Sequence, residues 1–196
     1  WSHFYDLTQI PRPSGQKEEV SAFLANYGRS LGLETIVDAI GNVIIRKPAS
    51  PGYENHPGVI LQGHMDMVPQ KNNDTVFDFA KDPIEAYIDG EWVTAKGTTL
   101  GADNGIGVAA AMAILADKSV VHPPLEVLVT VDEETGMYGA FALEGGLLQG
   151  KTLLNLDSEA EGELYVGCAG GVDTTAKFAY TPVEVEEGDV AIKVSL

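Results

Sequence analysis

Asp103 lies within a glycine-rich segment, Gly97-Thr-Thr-Leu-Gly-Ala-Asp-Asn-Gly-Ile-Gly107, immediately before an alanine-rich run. Glycines permit tight turns and the close approach of a ligand, so the segment predicts an acidic side chain at the start of a buried helix. Such a carboxylate can bind a metal ion, or it can simply cap the helix. The glycine spacing differs from G-x-G-x-x-G, which argues against a dinucleotide site, and the segment alone favours the cap.

Three other segments bring potential metal ligands to the ends of hydrophobic runs. They are Val59–Asp66, Leu125–Glu134 and Leu153–Asp157, and each predicts a buried strand followed by His or acidic residues. Because ligands of α/β proteins bind at the carboxyl ends of the strands, we expect these side chains to meet. The resulting set mixes imidazole with carboxylates, which suits zinc and related divalent ions: His64, Asp103, Glu134 and Asp157.

Two further acidic residues are candidates for roles beside the metal. Asp66 follows His64 by two positions and can accept a hydrogen bond from the ring nitrogen that does not bind the metal. Asp132, Glu133 and Glu134 are adjacent, and they repel one another in an enclosed site unless a cation neutralises them. With Glu134 on the metal, Glu133 is free to act as a general base. The alternatives are solvated strand ends and an acidic helix N-terminus.

The composition narrows the classes of function. The 196 residues carry 29 acidic and 12 basic side chains, a net charge of −17, which argues against nucleic acid or an anionic membrane as a partner. Hydrophobic residues make up 44% of the chain, enough for the core of one domain or a little more. A single cysteine excludes an internal disulfide framework, and no membrane-spanning run or signal peptide is visible. The sequence therefore predicts a cytoplasmic protein.

The rest of the chain predicts helices that alternate with strands. Trp1, Phe4, Tyr5 and Thr8 are expected on one face of a first helix, and a second helix is expected at about 16–31, with Ser14 able to cap it. Further elements are strands at 33–37 and 43–46, a hairpin at 89–90, a short helix near 138–143, and strands at 164–166, 172–180 and 190–196. The alternation predicts the α/β class, with a mostly parallel central sheet flanked by helices.

Five segments, taken in order, resemble the motifs of the dizinc aminopeptidase and carboxypeptidase clan. They are Leu61-Gln-Gly-His-Met-Asp-Met-Val-Pro-Gln, Lys71-Asn-Asn-Asp-Thr, Gly97-Thr-Thr-Leu-Gly-Ala-Asp-Asn-Gly, Asp132-Glu-Glu-Thr-Gly and Asp157-Ser-Glu. The loop at 69–75 and Gly167-Cys-Ala-Gly-Gly171 narrow the resemblance to the bacterial aminoacyl-histidine (Xaa-His) dipeptidases, a carnosinase-like group of the M20 type. The resemblance extends from about Leu7 to Tyr180.

This resemblance implies a role for each candidate residue. His64 and Asp157 hold one zinc ion, Asp103 bridges to a second, Glu134 binds the second, Asp66 orients His64, and Glu133 is the general base that deprotonates the bridging water. The complete site would contain two Zn²⁺ ions, with Co²⁺ or Mn²⁺ as substitutes. The substrate would be a small peptide, and neither nucleic acid nor a membrane would be a partner.

Family members are longer than this chain, and the resemblance implies a lid domain that also forms a homodimer. Residues 1–186 would be the N-terminal part of the catalytic domain, residues 187–196 would begin the lid, and a last His ligand is expected beyond residue 196. On that expectation this chain alone is inactive. Two alternatives stay open: a related tripeptidase, aminoacylase or deacetylase with the same metal site, and a non-catalytic metal-binding fragment of the fold.

Overall fold

The computed structural model of this chain describes residues 1–158, 160–167, 170–172 and 174–193. They belong to two compact units, Trp1–Glu159 and Ala160–Leu196. The described residues of the second unit form neither helix nor strand, and almost all are exposed. The strands predicted at 164–166 and in the described parts of 172–180 and 190–196 are therefore wrong, because a strand needs a neighbour to pair its backbone groups. Two of the five residues of the turn predicted at 167–171, Cys168 and Ala169, lie outside the described residues.

The first unit contains all the regular elements of the described chain. In chain order they are α1 (Ser2–Thr8), α2 (Glu18–Ser30), β1 (Glu34–Val37), β2 (Val43–Lys47), β3 (Val59–His64), β4 (Ala86–Asp89), β5 (Trp92–Ala95), α3 (Ala102–Ala116), β6 (Leu125–Thr130), α4 (Tyr138–Phe141) and β7 (Thr152–Asn155). Strands β4 and β5 pair as the predicted hairpin.

The other strands form a five-stranded sheet in the order β1-β2-β6-β3-β7. Strands β1, β6, β3 and β7 run in one direction, and β2 runs in the other. The parallel register sets His64 beside Thr130, and it sets Gln62 beside Asn155. The segments that follow β3, β6 and β7 therefore leave the sheet at one edge, and the predicted α/β class with a mostly parallel sheet is confirmed.

The core lies mainly on one face of this sheet. Side chains alternate between the two faces of a strand, so Val43, Ile45 and Val127 meet helices α2 and α3, while Ile44 and Leu128 join a smaller cluster on the other face. A fully buried Val or Leu of this kind contributes about 1.5–3 kcal/mol. No helix within the described residues combines the length and apolar composition that a membrane-spanning segment requires.

Three details differ from the sequence-based expectations. In α1 the buried stripe is Phe4, Leu7 and Thr8, whereas Trp1 and Tyr5 are exposed. Helix α2 begins at Glu18, with Lys17 at the N-cap and no side-chain cap, and Ser14 lies three residues earlier, where its hydroxyl donates to Asp66. Strand β7 is exposed along its whole length rather than buried, because among the described strands it has only β3 as a neighbour.

Candidate metal centre

The predicted ligands meet at the edge of the sheet where the parallel strands end. His64 is the last residue of β3, and its Nε2 atom lies 2.9 Å from Asp103 Oδ1 in the first turn of α3. The same nitrogen lies 3.7 Å from Asp157 Oδ2, after β7, and 3.9 Å from Glu133 Oε2, after β6. The fold therefore collects one imidazole and several carboxylates around a single nitrogen atom.

Two groups of side chains have donor atoms close enough together to hold a metal ion. One consists of His64, Glu133 and Asp157, and the other of His64, Asp103 and Glu134; within each group the donor atoms lie within 4.8 Å of one another. Both groups depend on His64, whose side chain is only 1% exposed. Asp103 is 54% exposed, so the centre has a buried imidazole at its base, one carboxylate open to solvent and the other carboxylates half-buried.

Asp66 organises the centre from behind the imidazole. Its carboxylate lies 3.3 Å from His64 Nδ1, and it accepts hydrogen bonds from Ser14 Oγ at 2.7 Å and from the backbone N–H groups of Glu133 at 3.0 Å and Glu134 at 3.3 Å. In the neutral ring, a proton on Nδ1 leaves the lone pair of Nε2 free to bind a metal ion. Asp66 thus holds the ring of His64 and the acidic loop in one arrangement.

The charges of the centre shift the pKa values of its members in opposite directions. Burial opposes a charge on His64, but the hydrogen bond to Asp66 and the negative charge of Asp157 outweigh it and raise the His64 pKa to about 9. Burial also disfavours charge on Asp66, yet its hydrogen bonds from His64, Ser14 and the Glu133 backbone lower its pKa to about 2. Asp66 is therefore a carboxylate at any physiological pH.

Burial, together with the charges of neighbouring carboxylates, raises the pKa of two acidic side chains of the centre. Burial, followed by the charge of Asp103, raises the pKa of Glu134. Burial likewise raises the pKa of Asp157, and the charges of Asp103 and Glu133 add to that rise against the attraction of His64. A divalent cation removes this conflict, because it replaces mutual repulsion by shared attraction. The donor set and its electrostatics both fit a metal ion.

The backbone explains why Asp103 points into the centre rather than capping α3. Gly101 is the residue at the helix N-cap, in a left-handed conformation with φ of 73°, and α3 has no side-chain cap. Asp103 itself departs from helical geometry, with φ of −82° and ψ of 113°. The interpretation of Asp103 as a helix cap is therefore wrong, and its carboxylate is directed to His64 instead.

Asn104 is a residue of the centre that the sequence analysis missed. Its side chain is buried; Oδ1 accepts the His64 backbone N–H at 3.3 Å, and Nδ2 donates to Leu156 O at 2.9 Å and to Asp157 Oδ1 at 3.3 Å. One amide group thus joins the end of β3 to the segment after β7. Its position directly after Asp103 was the only signal in the sequence, because its partners are distant along the chain.

The loop at 69–75, whose sequence resembles that of the Xaa-His dipeptidases, begins three residues after Asp66 and extends away from the metal centre. Residues 70–72 run beside 97–99, with the Thr99 N–H donating to Gln70 O at 2.8 Å and the Asn72 N–H donating to Gly97 O at 2.9 Å. Together these two segments line a cavity of about 420 Å³. Residues 70–72 follow Asp66 in the chain, and residues 97–99 precede Asp103. The cavity and the metal centre are therefore formed by neighbouring parts of the same two segments.

An α/β sheet that gathers a histidine and several carboxylates at its strand ends fits the class of metal-binding α/β domains. Residues 60–192 match the sequence model of Peptidase family M20/M25/M40, and the chain belongs to this family.

Individual relatives agree with this assignment. The chain is 54% identical, over all 196 residues, to the cytosol non-specific dipeptidase of Escherichia coli. The crystal structure of an aminoacylhistidine dipeptidase from Vibrio alginolyticus shares 57% identity and a TM-score of 0.84 over 86% of this chain. The aminopeptidase PepT of Bacillus cereus shares 27% identity and a TM-score of 0.67 over 81% of this chain and 43% of its own. The chain spans 40% of the length of the Escherichia coli protein and 34% of the Vibrio chain.

Proposed function

We propose that the protein is a metal-dependent dipeptidase and that this chain supplies most of its metal centre. The observation that carries the proposal is the convergence of His64 with Asp103, Glu133, Glu134 and Asp157 at one edge of the sheet. High identity to two proteins that are named as dipeptidases supports peptide hydrolysis as the reaction.

Zinc is the metal that we propose, with Co²⁺ or Mn²⁺ as substitutes, because imidazole and carboxylate donors suit these ions. His64 and Asp157 would hold one ion, Asp103 would bridge, and Glu134 would hold the other, as the family resemblance implies. When bound, such ions polarise the scissile carbonyl group and lower the pKa of water. The exposure of Asp103 supports access of a substrate to that position.

Glu133 is the proposed general base. Its backbone N–H is held by Asp66, and its side chain is 32% exposed, so the carboxylate can reach both solvent and a bound peptide. Glu133 would accept a proton from water as the water oxygen attacks the peptide carbonyl carbon. It would return that proton to the amine nitrogen as the C–N bond breaks, which leaves its own charge unchanged over the cycle.

Dipeptides, Xaa-His among them, are the substrates that we propose, because one relative is named as a non-specific dipeptidase and another as an aminoacylhistidine dipeptidase. A cytoplasmic location is proposed on the name of the Escherichia coli protein. A homodimer formed through a lid domain that begins near residue 187 follows from the family resemblance and remains a proposal.

A second candidate, a non-catalytic metal-binding protein, is favoured by one observation. Both ligand groups of the described residues rely on the same imidazole, so a single His64 cannot complete two separate zinc sites. Two tight sites would need a further nitrogen ligand. Zinc titration of this 196-residue chain against a competing chelator is expected to give one tight site. Two tight sites would contradict this expectation.

The decisive experiment is hydrolysis of a set of dipeptides by the protein in the length that its gene encodes. We expect cleavage of Xaa-His dipeptides that stops when a chelator removes the metal and returns with Zn²⁺. Cleavage that persists in a preparation shown by elemental analysis to be free of metal would overturn the proposed mechanism. Zinc binding without cleavage of any dipeptide would favour the non-catalytic candidate.

A further inference from the structure

Arg12 lies between the two prolines that end α1, and its side chain is buried, with the residue only 2% exposed. From the sequence, Pro11 and Pro13 predict only a break after the helix. A guanidinium group is rarely buried so completely unless several acceptors surround it. Its burial beside the candidate metal centre therefore requires an explanation.

The guanidinium of Arg12 connects two segments that carry site residues. Its Nη1 atom donates to the carbonyl oxygens of Met65 at 3.0 Å and Asp66 at 3.2 Å, immediately after β3. Its Nη2 atom donates to the carbonyl oxygen of Gly101, two residues before Asp103. One rigid, planar group thus connects the backbone just after His64 with the turn that carries Asp103.

The glycine-rich segment is shaped around this guanidinium. A Cβ atom added at Gly101 would lie 2.6 Å from Arg12 Nη2, and one added at Gly105 would lie 2.7 Å from the same atom. Gly101 also has a positive φ of 73°, which other residues adopt only with strain. Two of the glycines that flank Asp103 therefore leave space for Arg12.

The positive charge of Arg12 also interacts with acidic residues of the metal centre. It interacts with the carboxylates of Asp66 and Asp103, which are the two site residues closest in sequence to its backbone acceptors. The attraction of these two carboxylates offsets part of the cost of burying the guanidinium group.

We propose that Arg12 is a positioning residue of the metal centre, which sets the separation between the end of β3 and the turn that carries Asp103. This inference rests on the proposed function, since it assumes that His64 and Asp103 bind a metal ion. Arg12 does not itself touch the metal or the substrate. It acts through the backbone of Asp66 and Gly101.

The test compares Arg12→Lys and Arg12→Met with Arg46→Lys. Arg46 is a matched control, because its side chain is only 17% exposed and it also donates to a backbone carbonyl oxygen, that of Leu147. It differs from Arg12 in pairing with Glu126, near the amino end of β6 and away from the metal centre. The readouts are the visible spectrum of bound Co²⁺, the Zn²⁺ affinity in competition with a chelator, and the thermal unfolding of the metal-free chain. None of them depends on activity.

Loss of a supporting partner typically lowers metal affinity by about 10–100-fold. We expect that decrease, together with an altered Co²⁺ spectrum, in both Arg12 variants, whereas Arg46→Lys lowers only the unfolding temperature. Arg12→Lys keeps the charge but not the planar fork, so its failure to restore affinity would assign the effect to geometry. Wild-type affinity and spectrum in folded Arg12 variants would overturn the inference.

A third variant covers the case in which neither Arg12 variant folds. Gly105→Ala keeps Arg12 but places a methyl group against its Nη2 atom, and it is expected to lower Zn²⁺ affinity in the same direction. Unchanged affinity and an unchanged Co²⁺ spectrum in Gly105→Ala would overturn the inference. If the wild-type chain binds no Co²⁺, the proposed metal centre fails first; if it binds Co²⁺ and the variants match it, only the role of Arg12 fails.

Discussion

The carboxylate of Asp66 lies 3.3 Å from Nδ1 of His64 and also accepts the backbone N–H groups of Glu133 and Glu134. A single side chain therefore fixes the imidazole and the acidic loop relative to each other. The opposite nitrogen of His64 is left to face Asp103, Glu133 and Asp157. This relationship determines how the centre responds to mutation and to pH.

Replacing Asp66 by Asn should weaken metal binding without removing a ligand. One amide oxygen can replace Oδ1, which faces His64 and the Glu133 backbone, but an NH₂ group cannot replace Oδ2, which accepts from Ser14 and from the Glu134 backbone. The imidazole also loses its charged partner, so the ring and the acidic loop are held less firmly. We expect the zinc affinity to fall by about 10–100-fold, measured by chelator competition. Ser14→Ala, which removes one hydrogen bond from the same carboxylate, is the milder control. Equal affinity in Asp66→Asn and the wild type would contradict the role of Asp66.

The two adjacent glutamates should respond differently to the same substitution. In the full-length protein, Glu133→Gln should lower kcat by about 10²–10⁴-fold, because the general base is lost, while the metal content stays near normal. Glu134→Gln should instead lower the occupancy of one metal position. The measurements are steady-state kinetics and elemental analysis of both variants. The reverse pattern, with metal lost only from Glu133→Gln, would exchange the two roles.

Zinc binding should depend on pH through His64. The imidazole must be neutral to bind metal, and its pKa in the metal-free protein is raised from 6.5 to about 9. Binding between these pH values therefore releases about one proton, and the affinity should rise by about tenfold per pH unit. Calorimetry in buffers of different ionisation enthalpy measures the proton release. An affinity that does not vary over this window would show that His64 binds no metal.

The same shift predicts a change in stability without metal. Because folding raises the His64 pKa, the protonated ring stabilises the fold fully below about pH 6.5, and this contribution is lost as the pH rises through about 9. His64→Gln should therefore be most destabilising near pH 6 and least destabilising above pH 9. Urea unfolding of both proteins in chelator, at a series of pH values, measures the difference. A destabilisation that grows with pH would contradict the sign.

Glu126 should matter for stability but not for metal binding. It is only 5% exposed, and it accepts hydrogen bonds from Arg46 Nε at 3.0 Å and from the backbone N–H groups of Gln149 at 2.8 Å and Gly150 at 2.6 Å. Glu126→Ala leaves these donors unpaired, so we expect a loss of about 3–5 kcal/mol in the free energy of unfolding.

Glu34 offers a matched control for this prediction. It pairs with the same Arg46 at 2.6 Å, but its side chain is 61% exposed, and Glu34→Ala is expected to cost no more than about 1 kcal/mol. Denaturant unfolding and zinc titration of both variants separate the two effects. A change in zinc affinity in Glu126→Ala would show that the two ends of the sheet are coupled.

Local patterns in the sequence were sufficient to predict the sheet and the residue types of the centre. The apolar runs that end at His64 and Thr130 predict strands because burial imposes a pattern on consecutive residues, and the structure has β3 and β6 there. Acidic residues directly after such strands could then be expected at one edge. Which metal position each of them binds remains a prediction.

The supporting contacts of the centre could not be predicted in this way. The hydrogen bond from Ser14 joins it to a residue 52 positions away, and the one from Arg12 to Gly101 spans 89 positions. The spacing of apolar residues indicates which side of a helix or strand is buried, but it does not indicate which distant segment packs against that side. Strand order, parallel register and the path of the chain between α1 and α2 decide those contacts, and they exist only in the folded protein.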